Sequence, residues 1–371
     1  MLRKTSILWA MAGALALSAV LPAGAETIHR ERVGTLAMSD RAAADATSPD
    51  AELLRSYQPV LVLHPAESFQ PTKIQSFVAD SELEQFTGTS RSQLPLDRYW
   101  TVVNPDPGPG ELPPSTPGVF YRLNQVGCSA ADTLAGKACY ADAWSSGSGG
   151  DAVYGRVART ENRIVLQYWL FYYDNPLLLP PTPVGTFWQS HEGDWEVVNV
   201  VLDQNEQPRE AAYSQHCSGE RVPWPEVEKS PAGSTHPVVY VALGSHANYF
   251  APGAGALGLI PIPASCIPAA VRSVLPSLPF LHVDDQVLGR SAGGAVVGLP
   301  GSGAKAATIH PIDGTTWSTF GGFWGESEYF FTPIPLGPFP PGAFPLGVGP
   351  ASPANQPEWN PQVILAWPSA P

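Results

Sequence analysis

The run Ile164-Val165-Leu166-Gln167-Tyr168-Trp169-Leu170-Phe171-Tyr172-Tyr173 carries a single amide among apolar and aromatic side chains. With no polar face to turn toward water, it belongs in the centre of a sheet, covered on both sides. Residues 152–158 precede it as the first arm of a hairpin, behind a flexible turn at 145–150. Further apolar runs follow at 197–202 and 238–243. The 41 prolines and 35 glycines, beside only 14% charged residues, deny long helices and favour strands joined by turns. The expected fold is mainly β, an antiparallel β-sandwich with long loops and short helices.

Arg3 and Lys4, an apolar stretch over 7–21 and the small residues Ala23-Gly24-Ala25 give residues 1–25 the anatomy of an export signal. The expected location is outside the cytoplasm, extracellular or periplasmic. Residues 26–50, rich in alanine and aspartate, read as a flexible leader. A folded domain is expected over 51–330, with 251–308 as an elaborated insertion that includes a short helix at 268–274. Residues 331–371 form a proline-rich tail, extended and either draped on the domain or mobile. No segment after the signal has the length and apolarity of a transmembrane helix, and the signal region has no cysteine to carry a lipid.

Four cysteines, Cys128, Cys139, Cys217 and Cys266, in a chain that leaves the reducing cytosol point to two disulfides. Three pairings are open, and the expected one joins Cys128 to Cys139 and Cys217 to Cys266. The 33 acidic residues against 20 basic give a net charge of −13, which argues against nucleic acid or anionic lipid as a non-specific partner.

Chemistry concentrates in His191-Glu192-Gly193-Asp194-Trp195-Glu196, which opens the valine-rich run. Asp194 and Glu196 are two apart and share a face, while Trp195 goes to the other. Two adjacent carboxylates repel, and burying them requires a compensating positive group. A second histidine, His246, follows Gly244-Ser245 at the end of the run at 238–243. The candidate site is a divalent cation held by His191, Asp194, Glu196 and His246, with Asp174 and Ser245 behind them. Carboxylates, imidazoles and waters suit calcium, magnesium or manganese.

The same residues could work as acid and base on a water, or form a salt-bridged corner with Arg156, Arg159 or Arg163. Ser245 lacks the second glycine of a nucleophile elbow. Tyr168, Trp169, Tyr172 and Trp195 read as core, His64 as structural, and Trp324, beside glycine, as the better candidate for an exposed aromatic.

Tyr57-Gln58-Pro59-Val60, Glu67-Ser68-Phe69-Gln70-Pro71, Gln167-Tyr168-Trp169-Leu170-Phe171-Tyr172, His191-Glu192-Gly193-Asp194-Trp195-Glu196, Val239-Tyr240-Val241-Ala242-Leu243-Gly244-Ser245-His246-Ala247 and Phe323-Trp324-Gly325 together resemble, in the same order, the vacuolar-protein-sorting-associated protein 62 family. That resemblance spans residues 52–330 and implies no established catalytic activity. More distantly, Ser190 to Glu196 resembles the heptapeptide Gly-His-Arg-His-Asp-Trp-Glu of the necrosis- and ethylene-inducing toxin-like proteins, secreted β-sandwich cytolysins that hold a divalent cation there. His191, Asp194, Trp195 and Glu196 match, whereas Glu192 and Gly193 replace that motif's arginine and second histidine.

The expected function is cation-dependent binding of an extracellular glycan, a lipid headgroup or a small molecule. A metal-assisted hydrolase and a membrane-perturbing effector are the alternatives.

Overall fold

The structure, a computed structural model, describes residues 48–129, 139–140, 152–298, 308–335 and 340–370. The expected export signal, residues 26–47 of the leader and the turn at 145–150 lie outside them. Helix α1 (Pro49–Ser56) starts two residues before the expected domain boundary. Ser48 caps it by accepting the Ala51 amide at 3.1 Å, and Pro49 occupies a first-turn position where its missing N–H is not needed.

Strand β1 (Val60–Leu63) is buried throughout. After α2 (Ile74–Ala79), strands β2 (Ser81–Phe86), β3 (Trp100–Asn104) and β4 (Tyr121–Gln125) form an antiparallel sheet with β2 in the middle. The long meander β5 (Ala152–Arg159), β6 (Ile164–Leu178) and β7 (Trp188–Leu202) follows, with β6 and β7 in register from Ile164↔Leu202 to Leu178↔Trp188. The hairpin strands β8 (Pro208–Gln215) and β9 (Ser218–Pro223) extend that sheet beyond the second half of β7.

Strand β10 (Val238–Val241) then lies parallel to β1, and β11 (Asn248–Tyr249) pairs with β10. The expected insertion contains a ribbon of β12 (Leu259–Pro261) and β13 (Asp284–Gln286), with α3 (Ala269–Val274) between them, and then β14 (Val296–Val297), which pairs with β1. Strand β15 (Thr308–Pro311) lies parallel to β5, and β16 (Phe323–Trp324) lies parallel to β4. Strand β17 (Ser327–Thr332) pairs with the start of β7, and β18 (Gly342–Val348) with β17. The architecture is the expected antiparallel-rich sandwich with few short helices, modified by these three parallel pairings.

The two faces of β6 and β7 bury different chemistry. One face carries Trp169, Phe171 and Trp195, packed on Phe77, Trp317 and Trp324 at ring separations of 4.8 to 6.5 Å. The opposite face, with Tyr172, Asp194 and Glu196, meets the turn between β10 and β11. Trp324 is therefore not the exposed aromatic that its glycine neighbours suggested: it is fully buried, and its indole N–H donates to Ser352 at 2.8 Å.

The tail is also part of the fold, since β18 closes an edge of the large sheet and α4 (Pro361–Leu365) buries Ile364. Residues 368–370 bracket Arg221 with two backbone hydrogen bonds. Both expected disulfides are present, and Cys217–Cys266 joins the tip of the β8–β9 hairpin to the inserted ribbon. No helix among the described residues is long and apolar enough to cross a membrane.

Because Trp324 contacts five other aromatic rings, Trp324→Ala should cost about 3–5 kcal/mol of stability, read as a lower urea midpoint. A loss below about 1 kcal/mol would place the side chain outside the core.

Candidate functional site

Strand β7 is paired with β6 along one edge for nearly its whole length. On the other edge β17 takes residues 188–190 and β8 takes residues 198–202, so the acid–histidine motif lies between two ladders. Gly193 has φ +60°, and a Cβ there would lie 2.6 Å from the Trp324 carbonyl oxygen, so the motif requires glycine at this point.

Asp194 and Glu196 share a face, as their spacing predicts, but their partners differ. Asp194 Oδ2 lies 2.9 Å from His246 Nδ1 and 3.2 Å from Asn175 Nδ2. His246 occupies the β10–β11 turn at φ +55° and is completely buried. Its ring lies flat on Tyr172, with centroids 3.8 Å apart and planes 1° from parallel. Beyond it, Nε2 is 3.6 Å from Glu67 Oε1, an ion-pair separation too long for a hydrogen bond. Glu67 is held in turn by the amides of Phe69 at 2.8 Å and Gly244 at 2.7 Å.

Burial alone would depress the His246 imidazole. The charges of Glu67 and Asp194 and the hydrogen bond to Asp194 outweigh it and hold the pKa at about 9. Burial likewise works against ionised Glu67, yet the imidazolium and the two amides bring its pKa below the ordinary carboxylate value. The positive group that the acidic pair requires is therefore His246 itself, charged and placed between two carboxylates. Glu196 takes the other course. Burial, then the Asp194 charge, push its pKa well above the usual range, and it accepts the Ser214 hydroxyl, with Asn248 Nδ2 at 3.4 Å.

The other expected members lie elsewhere. His191 turns its Nδ1 to the Gly193 carbonyl at 2.7 Å and does not join Asp194. Asp174 is buried, accepts the Ser190 hydroxyl at 3.2 Å, and is pushed up to about 7 by burial, which exceeds the opposing effect of His191. Ser245 donates to Asp285 at 2.5 Å, and Asp285 also receives Tyr249 at 2.5 Å and His216 at 2.7 Å. Among the described residues the Ser245 hydroxyl is given to Asp285 and to no histidine, so a serine nucleophile is not assembled there.

Arg156, Arg159 and Arg163 reach Asp313, Asp50 and the Asn162 carbonyl, which removes them as partners for the motif. The four expected metal ligands do not form a group able to hold an ion, and no other set of three or more His, Cys, Asp or Glu among the described residues does.

Sequence reasoning left two functional-looking acids out of the site. Glu67 stands in a loop after β1, and its only signal is its place in the Glu67-Ser68-Phe69-Gln70-Pro71 segment. Glu192 is fully buried and accepts the Tyr140 hydroxyl at 2.9 Å and the amides of Gln125 at 3.1 Å and Glu326 at 2.9 Å. Burial, then the Glu326 charge, raise its pKa.

No protein-family model matches the chain, and no curated protein does. Two solved structures show similarity. One is Necrosis and Ethylene inducing Protein 2 from the causal agent of cocoa's witches' broom disease, at 19% identity over 52% of this chain and 60% of that chain, with a TM-score of 0.23. The other is NLPPya in complex with mannosamine, at 15% identity over 55% of this chain and 68% of that chain, with a TM-score of 0.27. The chain thus spans less than two thirds of the first neighbour's length.

Because His246 is raised from 6.5 to about 9, the stability it contributes is complete below pH 6.5 and is lost as pH rises through about 9. Glu67, lowered, contributes above its unfolded pKa and loses that contribution in acid. The wild-type melting temperature should therefore fall from neutral pH through about 9. His246→Gln should be less stable at neutral pH by about 3–5 kcal/mol and should lack that slope. Parallel descent of the two curves would contradict the assignment.

Proposed function

We propose that this protein is a non-catalytic extracellular binding module, that its acid–histidine motif is an internal tie between sheets, and that its ligand is a glycan met at the surface. One observation carries the reading. Glu67 and His246 are sealed, with side-chain exposures of 1% and 0%, and Asp194 is 8% exposed, so no substrate reaches the groups that would move a proton. Ser245 is equally enclosed and committed to Asp285.

An open coordination position beside an ordered base is what a metal-assisted hydrolase requires, and the convergence needed for it is missing from the described residues. Two disulfides and the export-signal anatomy of the first 25 residues support a place outside the cytoplasm.

The purified protein should turn over no generic ester, phosphodiester or glycoside substrate and should carry divalent metal well below one equivalent. It should be retarded by polysaccharide in native affinity gels. Turnover abolished by Asp194→Asn, or stoichiometric metal whose chelation lowers the melting temperature, would contradict the proposal.

A further inference from the structure

Positive charge is scarce in this chain, with 20 lysines and arginines against 33 acidic residues. Arg122, Arg156, Arg159, Arg209 and Arg221 each lie within 3.0 Å of a carboxylate. Other arginines depart from that pattern, Arg272 reaching only the Ala264 carbonyl and Arg290 lying 3.8 Å from Glu228. Arg91 and Arg98 are exposed, and neither is in an ion pair among the described residues.

Each instead lies over an aromatic ring. The Arg91 guanidinium is 5.0 Å from the Phe120 centroid and that of Arg98 is 4.9 Å from the Tyr99 centroid. The two rings are bridged by Phe86, which meets Phe120 at 6.0 Å and Tyr99 at 6.3 Å, edge-on to both. None of these three rings is fully buried. The five side chains thus form a continuous surface in which charge, ring and charge succeed one another.

The surface is held in place. The Gln93 side chain accepts the amides of Thr89 at 2.9 Å and Ser90 at 3.0 Å, which fixes the turn that presents Arg91. Asp97, the acid next to Arg98, is engaged on its inner side by Arg122 at 2.8 Å and by the Tyr329 hydroxyl. Ring stacking also orients a guanidinium while leaving its N–H edge open for a bidentate contact with an anion.

We propose that the Arg91–Phe120–Phe86–Tyr99–Arg98 surface binds an acidic polysaccharide. This rests on the binding-module reading and names its ligand class. The guanidiniums take carboxylate or sulfate groups of successive sugars, and the half-exposed rings take the apolar C–H faces of the pyranoses between them. A net charge of −13 repels an anionic bilayer taken as a whole. A linear acidic glycan can instead engage this one local positive strip and leave the acidic remainder in solvent.

The test is affinity electrophoresis and calorimetry of the full chain against polygalacturonate, heparin, neutral dextran and phosphatidylserine vesicles. Wild type and Arg91→Gln/Arg98→Gln are compared, with melting curves of both. The wild type should bind polygalacturonate or heparin, the stronger of the two separating carboxylate from sulfate recognition, and not dextran. Salt should weaken the binding, and the double variant should lose about tenfold or more in affinity with an unchanged melting temperature.

Equal affinity of the double variant for the acidic glycan overturns this surface, and so does binding to vesicles alone. Retention on dextran only overturns the acidic ligand while leaving the binding-module reading standing. No retention on any polysaccharide overturns both.

Discussion

Two carboxyl groups on adjacent same-face positions of a buried strand cannot both keep a charge without a counter-charge, and the central sheet contact is arranged around that constraint. Asp194 is matched by the imidazolium of His246, which is matched again by Glu67, while burial and the Asp194 charge favour the neutral form of Glu196 beside Ser214. The three charged groups come from β7, from the turn after β10 and from the loop after β1. Because β1 and β10 pair directly, the tie joins the small sheet to the large one. Buried pairs of this kind add little net stability over a well-packed apolar contact. What they impose is register, because removing any one member leaves the others charged and unmatched.

Much of the sandwich was legible because its signals are local. The composition of β6 left no exposed face. The period of two placed Asp194 and Glu196 together and sent Trp195 into the aromatic cluster. The demand for a positive group was legible as well, but its identity was not. One of the two charges that favour a cationic His246 comes from Glu67, which stands in the loop after β1, and the parallel pairing of β1 with β10 leaves no trace in either segment's own pattern. Grouping His191 with Asp194 requires the motif to enter its strand from a loop. The strand already runs from Trp188, and residues three apart in a strand do not share a face.

The misplacement of Trp324 has a similar origin. Glycine neighbours suggest exposure, whereas the parallel bridge of β16 to β4 and the indole hydrogen bond to Ser352 bury the ring. The prolines of the tail point to an extended chain, draped on the domain or mobile. They do not forbid an edge strand, and β18 sets Pro345 opposite Tyr329 at a sheet edge.

With the motif turned inward, the proposed recognition moves to the surface, where the exposed guanidiniums at 91 and 98 lie over aromatic rings. The internal tie and the external strip are separate parts of the molecule, and each can fail without the other. The internal tie is tested most directly by the ring-nitrogen NMR shifts of His246, assigned by difference against His246→Gln. At neutral pH both ring nitrogens should carry protons, with titration near 9 that is indifferent to added calcium or magnesium. A neutral ring at neutral pH, or a titration displaced by either ion, would show that something other than the imidazolium compensates the buried acids.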